Sequence, residues 1–150
     1  MEKAILITGI TQEELSNFLC TATYGSNVFG IVYKKKDYYG TKLEDENDCR
    51  EDKWAKILLS GKPVYVLDYY AEEEDEFYGN LSHKWDADRE AMKYTLTLQD
   101  VLIGMQKAFN ENEWMAKTIL SIDENPDGDY DLDDAEGLLQ EIVFGELIYG

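Results

Sequence analysis

Apolar positions along this chain fall into short β-branched runs in its first two thirds and into helical stripes towards its end. Ala4–Thr8 (AILIT), Val28–Tyr33 (VFGIVY), Val64–Tyr70 (VYVLDYY) and Tyr94–Leu98 (YTLTL) are short and rich in β-branched or aromatic side chains, the composition of strands. The Gly61-Lys62-Pro63 turn introduces the third run. The third and fourth are expected to pair antiparallel across the long acidic connection Ala71–Ala91. After the first run, Thr11-Gln12-Glu13-Glu14 forms a capping box, in which the Thr11 hydroxyl accepts from the Glu14 amide while Glu14 reaches back. Leu15, Phe18, Leu19 and Ala22 then recur at helical spacing, which predicts a helix over Gln12–Tyr24 with Gly25 as its stop.

Asp37–Lys53 reads as a polar loop or a short irregular helix, and Trp54, Ile57 and Leu58 mark a helix ending near Gly61. Thr97 and Asp100 repeat the cap signal ahead of Val101, Leu102, Met105, Ala108 and Phe109. A further helix is expected over Glu113–Ile122, with Trp114, Ile119 and Leu120 inward. The last is expected over Asp133–Leu147, with Leu138, Leu139, Ile142 and Val143 as its apolar face. Strands early and helices late predict an α+β fold: a small, mainly antiparallel sheet of about four strands with three to five packed helices. Residues 1–150 read as one domain, long enough to bury a core without disulfides or metal.

Charge changes the picture more than any motif. The chain has 32 acidic against 14 basic residues, a formal net charge of -18. The acids cluster at Glu44–Asp52, Glu72–Glu76 and Asp123–Glu136, and residues 113–150 hold 11 acids against one base, Lys117. Such a field repels nucleic acid and membrane surfaces and attracts basic protein grooves. The aromatic group Tyr65, Tyr69, Tyr70, Phe77, Tyr78 and Trp85 therefore reads as packing, since stacking platforms for nucleic acid sit in basic grooves and these neighbours are acidic. Lys34-Lys35-Lys36 alone does not reverse that balance.

Several chemistries find no support. There is no Walker loop, no GxGxxG and no GxSxG, and no particular pair of carboxylates stands out for acid–base work. Cys20, Cys49 and His83 match no zinc spacing; His83 reads as a loop histidine and Cys20 as a small core residue. Two cysteines, which allow a single Cys20–Cys49 bridge at most, suit a reducing compartment. Met1–Ile7 shows no cleavage-like site and no stretch is long and apolar enough for a membrane span, so a cytoplasmic protein is expected.

The segment from Asp123 to Asp134 has the oxygen-ligand spacing of a calcium loop. Asp123, Asn125, Asp127, Asp131 and Asp134 fall at ligand positions, Asp129 supplies its carbonyl, and Gly128 makes the turn. Asp134 replaces the usual glutamate, and no second loop is present to pair with it. The alternative is an acidic interhelical turn.

Leu19-Cys20-Thr21-Ala22 with Gly25-Ser26-Asn27, the helix start Thr97-Leu98-Gln99-Asp100-Val101-Leu102-Ile103-Gly104-Met105, and the closing Phe144-Gly145-Glu146-Leu147-Ile148-Tyr149-Gly150 resemble a family of small acidic bacteriophage and prophage proteins. The resemblance covers the first helix and the last third. It implies a mobile-element origin and a bacterial host cell, with no activity attached. The longer Asp123–Asp134 loop departs from the family's pattern.

The function expected from these features is non-catalytic: an acidic phage-type protein that occupies a basic, nucleic-acid-binding site on a host protein, as a DNA mimic or anti-defence inhibitor. Glu72, Glu73, Glu74, Asp75 and Glu76 would meet that partner's cations, with Tyr78 and Trp85 as apolar anchors. Two alternatives stand beside it: a Ca²⁺-binding or Ca²⁺-stabilised domain using residues 123–134, and a protein that sequesters a small ligand such as a nucleotide. The last needs a basic or amide-lined pocket, which the sequence does not display.

Overall fold

A computed structural model describes residues 9–24, 26–40, 50–75, 79–112, 115, 118, 119 and 131–149. Helix α1 (Gln12–Thr23) is followed by strand β1 (Phe29–Val32), helices α2 (Lys35–Tyr39) and α3 (Arg50–Leu59), and strands β2 (Val64–Asp68), β3 (His83–Asp86) and β4 (Ala91–Leu96). Helices α4 (Leu98–Glu111) and α5 (Leu132–Phe144) complete the described elements. The four strands form one antiparallel sheet in the order β1-β2-β4-β3, so the fold is α+β.

The expected pairing of the 64–70 and 94–98 segments is present, with Val64 opposite Leu96 and Val66 opposite Tyr94. Both strands stop short for local reasons. Asp68 turns its carboxylate onto the Tyr70 amide at 2.9 Å and ends β2. Thr97 leaves the ladder to cap α4, where its hydroxyl accepts from the Asp100 amide at 3.2 Å and Asp100 returns to the Thr97 amide at 2.9 Å. The same reciprocal pair, Thr11 and Glu14, opens α1. Strand β3 was not expected, because His83-Lys84-Trp85-Asp86 lacks a run of apolar residues. The expected strand Ala4–Thr8 lies outside the described residues. Of the helix expected over 113–122, only Met115, Thr118 and Ile119 are described; all three are helical, and Met115 and Ile119 are buried.

Alternation sorts the sheet into two unlike faces. Phe29, Val64, Val66, Met92, Tyr94 and Leu96 join the core, together with Leu15, Phe18 and Leu19 of α1, Trp54, Ile57 and Leu58 of α3, and Leu138, Leu139 and Ile142 of α5. Helices α4 and α5 approach closely at Gly104, where a Cβ would lie 2.7 Å from the Ile142 Cα, leaving room for glycine alone. Cys20 is a half-buried free thiol; burial, then the Glu51 carboxylate, raise its pKa, which leaves it a poor nucleophile. Cys49 lies outside the described residues.

The motifs at the chain's two ends have structural work. Ser26 Oγ accepts from the Val28 and Phe29 amides and donates to Glu136 of α5 at 2.8 Å, fixing the start of β1. Gly145, in the left-handed region at φ 80°, stops α5 three residues after Ile142, so Leu147 falls outside the helix expected to include it. The tail then folds back. Gln140, buried on α5, accepts from the Ile148 and Tyr149 amides and donates to the Tyr149 carbonyl. Tyr149 donates its hydroxyl to Asp68 Oδ2 at 2.7 Å.

Asp68 is fully buried, and that burial raises its pKa against the hydrogen bonds from Tyr149 and the Tyr70 and Ala71 amides. A raised carboxyl means the folded state holds more protons. Its contribution to stability is therefore complete below the unfolded pKa and is lost as pH rises through the folded one. Tyr149→Phe removes a bond to the charged form and raises the Asp68 pKa further. The substitution is expected to cost about 1–3 kcal/mol at neutral pH and less near the ordinary carboxylate value of about 4. Urea unfolding at the two pH values checks this; a cost that grows on acidification would contradict it.

Candidate functional site: a cationic groove on the open sheet face

The face of the sheet turned away from the helices is built from the alternate positions of each strand. One cross-strand row runs Val32, Tyr65, Thr95, and the next runs Gly30, Leu67, Lys93, Lys84. Thr95 extends its row by donating its amide to the Ser82 carbonyl at 2.9 Å. Leu67 and Ala91 are buried yet stand apart from the helix-packed core, so the open face has its own small apolar floor.

A groove of about 450 Å³ lies over these rows. Val32, Tyr33, Lys34, Tyr65, Ser82, His83, Lys84, Arg89, Lys93 and Thr95 line it. Four of the chain's 14 basic residues are in this lining and no carboxylate is. Lys84 and Lys93 stand directly opposite each other on adjacent strands, a like-charge pairing that works against the sheet. Lys93 places its ammonium 4.8 Å from the centre of the Tyr65 ring. Arg89 is the cation with a partner: its guanidinium bonds Asp86 Oδ2 at 2.9 Å. Among the described residues, Lys34, Lys84 and Lys93 make no salt bridge. The local field is visible at Asp86. Desolvation pushes its pKa up, but hydrogen bonds from Arg89 and the charges of Arg89 and Lys93 outweigh it and leave the pKa lowered.

One of the lining residues, Tyr33, belongs to an aromatic column. Tyr33 stacks on Tyr38 of α2, ring centres 4.1 Å apart and 15° from parallel. Lys53 of α3 places its ammonium 4.3 Å from the centre of the Tyr38 ring. The ring pair and its packing against the core hold Tyr33 in orientation, and the cation–π contact does the same for Tyr38.

This side of the sheet revises three expectations. A basic pocket exists, assembled from residues 32–34, 65 and 82–95, and Tyr65 belongs to it and not to the core. Tyr69 and Tyr70 also lie outside the core, about half exposed, with Tyr69 lying against Gly30. His83 is the first residue of β3, not a loop histidine, and stacks on Tyr94 with ring centres 5.6 Å apart.

The acidic residues named as partner contacts are placed less favourably. Glu72, Glu73 and Glu74 are exposed on a turn that Asp75 holds by accepting from the Glu72 amide at 2.8 Å. A hydrogen bond with Glu74, then the charges of Glu74 and Asp75, raise the Glu72 pKa, the mark of crowded carboxylates. Trp85 is half-buried on β3 opposite Met92 and packs against the core. Glu76 and Tyr78 lie outside the described residues, as does the run Glu44–Asp48.

Of the calcium-loop candidates, Asp123, Asn125, Asp127 and Asp129 also lie outside the described residues. Asp131 and Asp134 have a local role: Asp131 Oδ1 accepts from the Asp134 amide at 2.9 Å, and Asp134 Oδ2 from the Asp131 amide at 3.4 Å. They form a third capping box, opening α5. Among the described residues no three metal-ligating side chains converge, and no helix is long and apolar enough to cross a membrane.

Compared with family models, curated proteins and solved structures, the chain finds no match in any of the three.

Asp131→Ala removes the α5 cap and is expected to cost about 0.5–2 kcal/mol of stability in the presence of a chelator. Chemical unfolding of the two proteins measures it; equal stability would deny Asp131 the capping role.

Proposed function

We propose that the protein is a non-catalytic binding protein that captures a small phosphorylated anion on the open face of its sheet. The observation that carries this reading is the pair Lys84 and Lys93, set face to face without a salt bridge among the described residues, with Lys34 beside the same groove. A sheet gains nothing from opposing two ammonium groups in a chain with 32 carboxylates to choose from. A bound polyanion relieves that repulsion. The acidic remainder sets a size limit: long-range repulsion disfavours extended nucleic acid, while a small anion approaches within the roughly 8 Å over which physiological salt leaves charges in contact.

The test is calorimetric titration with inorganic tripolyphosphate. Binding is expected, weakening as salt rises. Lys84→Gln is expected to leave the unliganded protein equally stable or more stable by about 0.2–1 kcal/mol, while weakening tripolyphosphate binding about tenfold. A variant that loses stability and binds tripolyphosphate as before would refute the reading.

A second reading keeps the acidic exterior as a docking surface for a basic host protein. Its support is the ordered turn that exposes Glu72, Glu73 and Glu74. Here a bacterial protein captured at low salt should be released as salt rises, and should be lost when the three glutamates become glutamine. Capture indifferent to both changes would exclude it.

A further inference from the structure

We infer that the groove's ligand carries a planar ring as well as phosphates, with the ring stacked on Tyr33 and the phosphates held by Lys34, Lys84 and Lys93: a nucleoside di- or triphosphate. This rests on the anion-binding reading and adds to it a feature that reading does not use. Tyr33 lines the groove, and Tyr38 takes one face of its ring at a spacing of 4.1 Å. Lys53 lies over the Tyr38 ring, 4.3 Å from its centre. Tyr33 is half-buried, packs against the core and lines the groove together with Tyr65. Aromatic side chains already held by their packing bind a planar ring with little further loss of freedom.

Size and charge narrow the class. A volume of about 450 Å³ lies within the range of small-molecule pockets and far exceeds what an inorganic anion fills. Three ammonium groups that make no salt bridge among the described residues suit a ligand with several negative charges at one end. Val32 and the rings of Tyr33 and Tyr65 in the same lining offer a planar ring apolar and aromatic surface. A single-stranded polynucleotide offers the same ring and phosphate chemistry, but its flanking phosphates would face a protein of net charge -18.

Low-salt calorimetric titration with three probes decides the matter: ATP, inorganic tripolyphosphate and a short single-stranded DNA oligonucleotide. ATP is expected to bind about tenfold more tightly than tripolyphosphate, the size of one base–aromatic stack. Tyr33→Leu should erase that difference and leave tripolyphosphate unchanged, whereas Tyr33→Phe should preserve it. Equal affinity for ATP and tripolyphosphate in the unaltered protein overturns the inference and leaves anion binding standing; that comparison needs no variant to fold. So does a Tyr33→Leu protein that loses affinity for both alike, or an oligonucleotide that outcompetes ATP. Failure of both ATP and tripolyphosphate to bind overturns the anion-binding reading and this inference with it.

Discussion

The register between β2 and β4 is the constraint on which the rest of this structure depends. With Val66 opposite Tyr94 and Leu67 opposite Lys93, one side of the sheet receives Val64, Val66, Met92, Tyr94 and Leu96. The other receives Tyr65, Lys93 and Thr95. Side chains alternate with a period of two, so a slip of one residue would drive Lys93 towards the helices and turn Tyr94 out to water. Burial of the inner set against α1, α3 and α5 therefore fixes the outer set too. The cations gather on the open face because the apolar residues between them are committed to the core.

That separation explains how a protein of net charge -18 keeps a cationic groove. Net charge governs the field at a distance, whereas a pocket is governed by the few charges within about a Debye length. Several described carboxylates are taken up elsewhere: in capping boxes at Glu14, Asp100 and Asp134, in the buried contact of Asp68 with Tyr149, and in the crowded turn at Glu72–Asp75. Asp86 is the acid nearest in role to the groove, and it serves to orient Arg89.

Much of the fold was legible because its signals are local. Helical spacing of Leu15, Phe18, Leu19 and Ala22 and the Thr11 and Thr97 capping boxes each lie within one segment. The β2–β4 pairing could be read because both strands carry dense β-branched and aromatic residues. Strand β3 escaped because it is an edge strand with one large apolar residue, Trp85, and takes its hydrogen bonds from β4 alone among the described residues. The Asp131 box was hidden by a second meaning of the same pattern: oxygen ligands spaced for an ion are also spaced for a helix start. The groove was illegible for a different reason. Its cations come from two separated stretches, Lys34 and the β3–β4 hairpin with Lys84, Arg89 and Lys93, and only the sheet's non-local pairing through β2 unites them. One clue was available. Lys93 immediately precedes Tyr94, and extending that strand back by three residues would have set Lys93 among the outward positions.

Lys84 also stands on the last strand of the sheet, whose outer backbone groups are free of any partner strand among the described residues. An exposed lysine there guards against end-on joining of two sheets, since a second copy would bring its own ammonium to the same seam. On the anion-binding proposal, a ligand that neutralised this lysine would also weaken that guard, so occupancy of the groove and exposure of the sheet's edge would meet at one side chain.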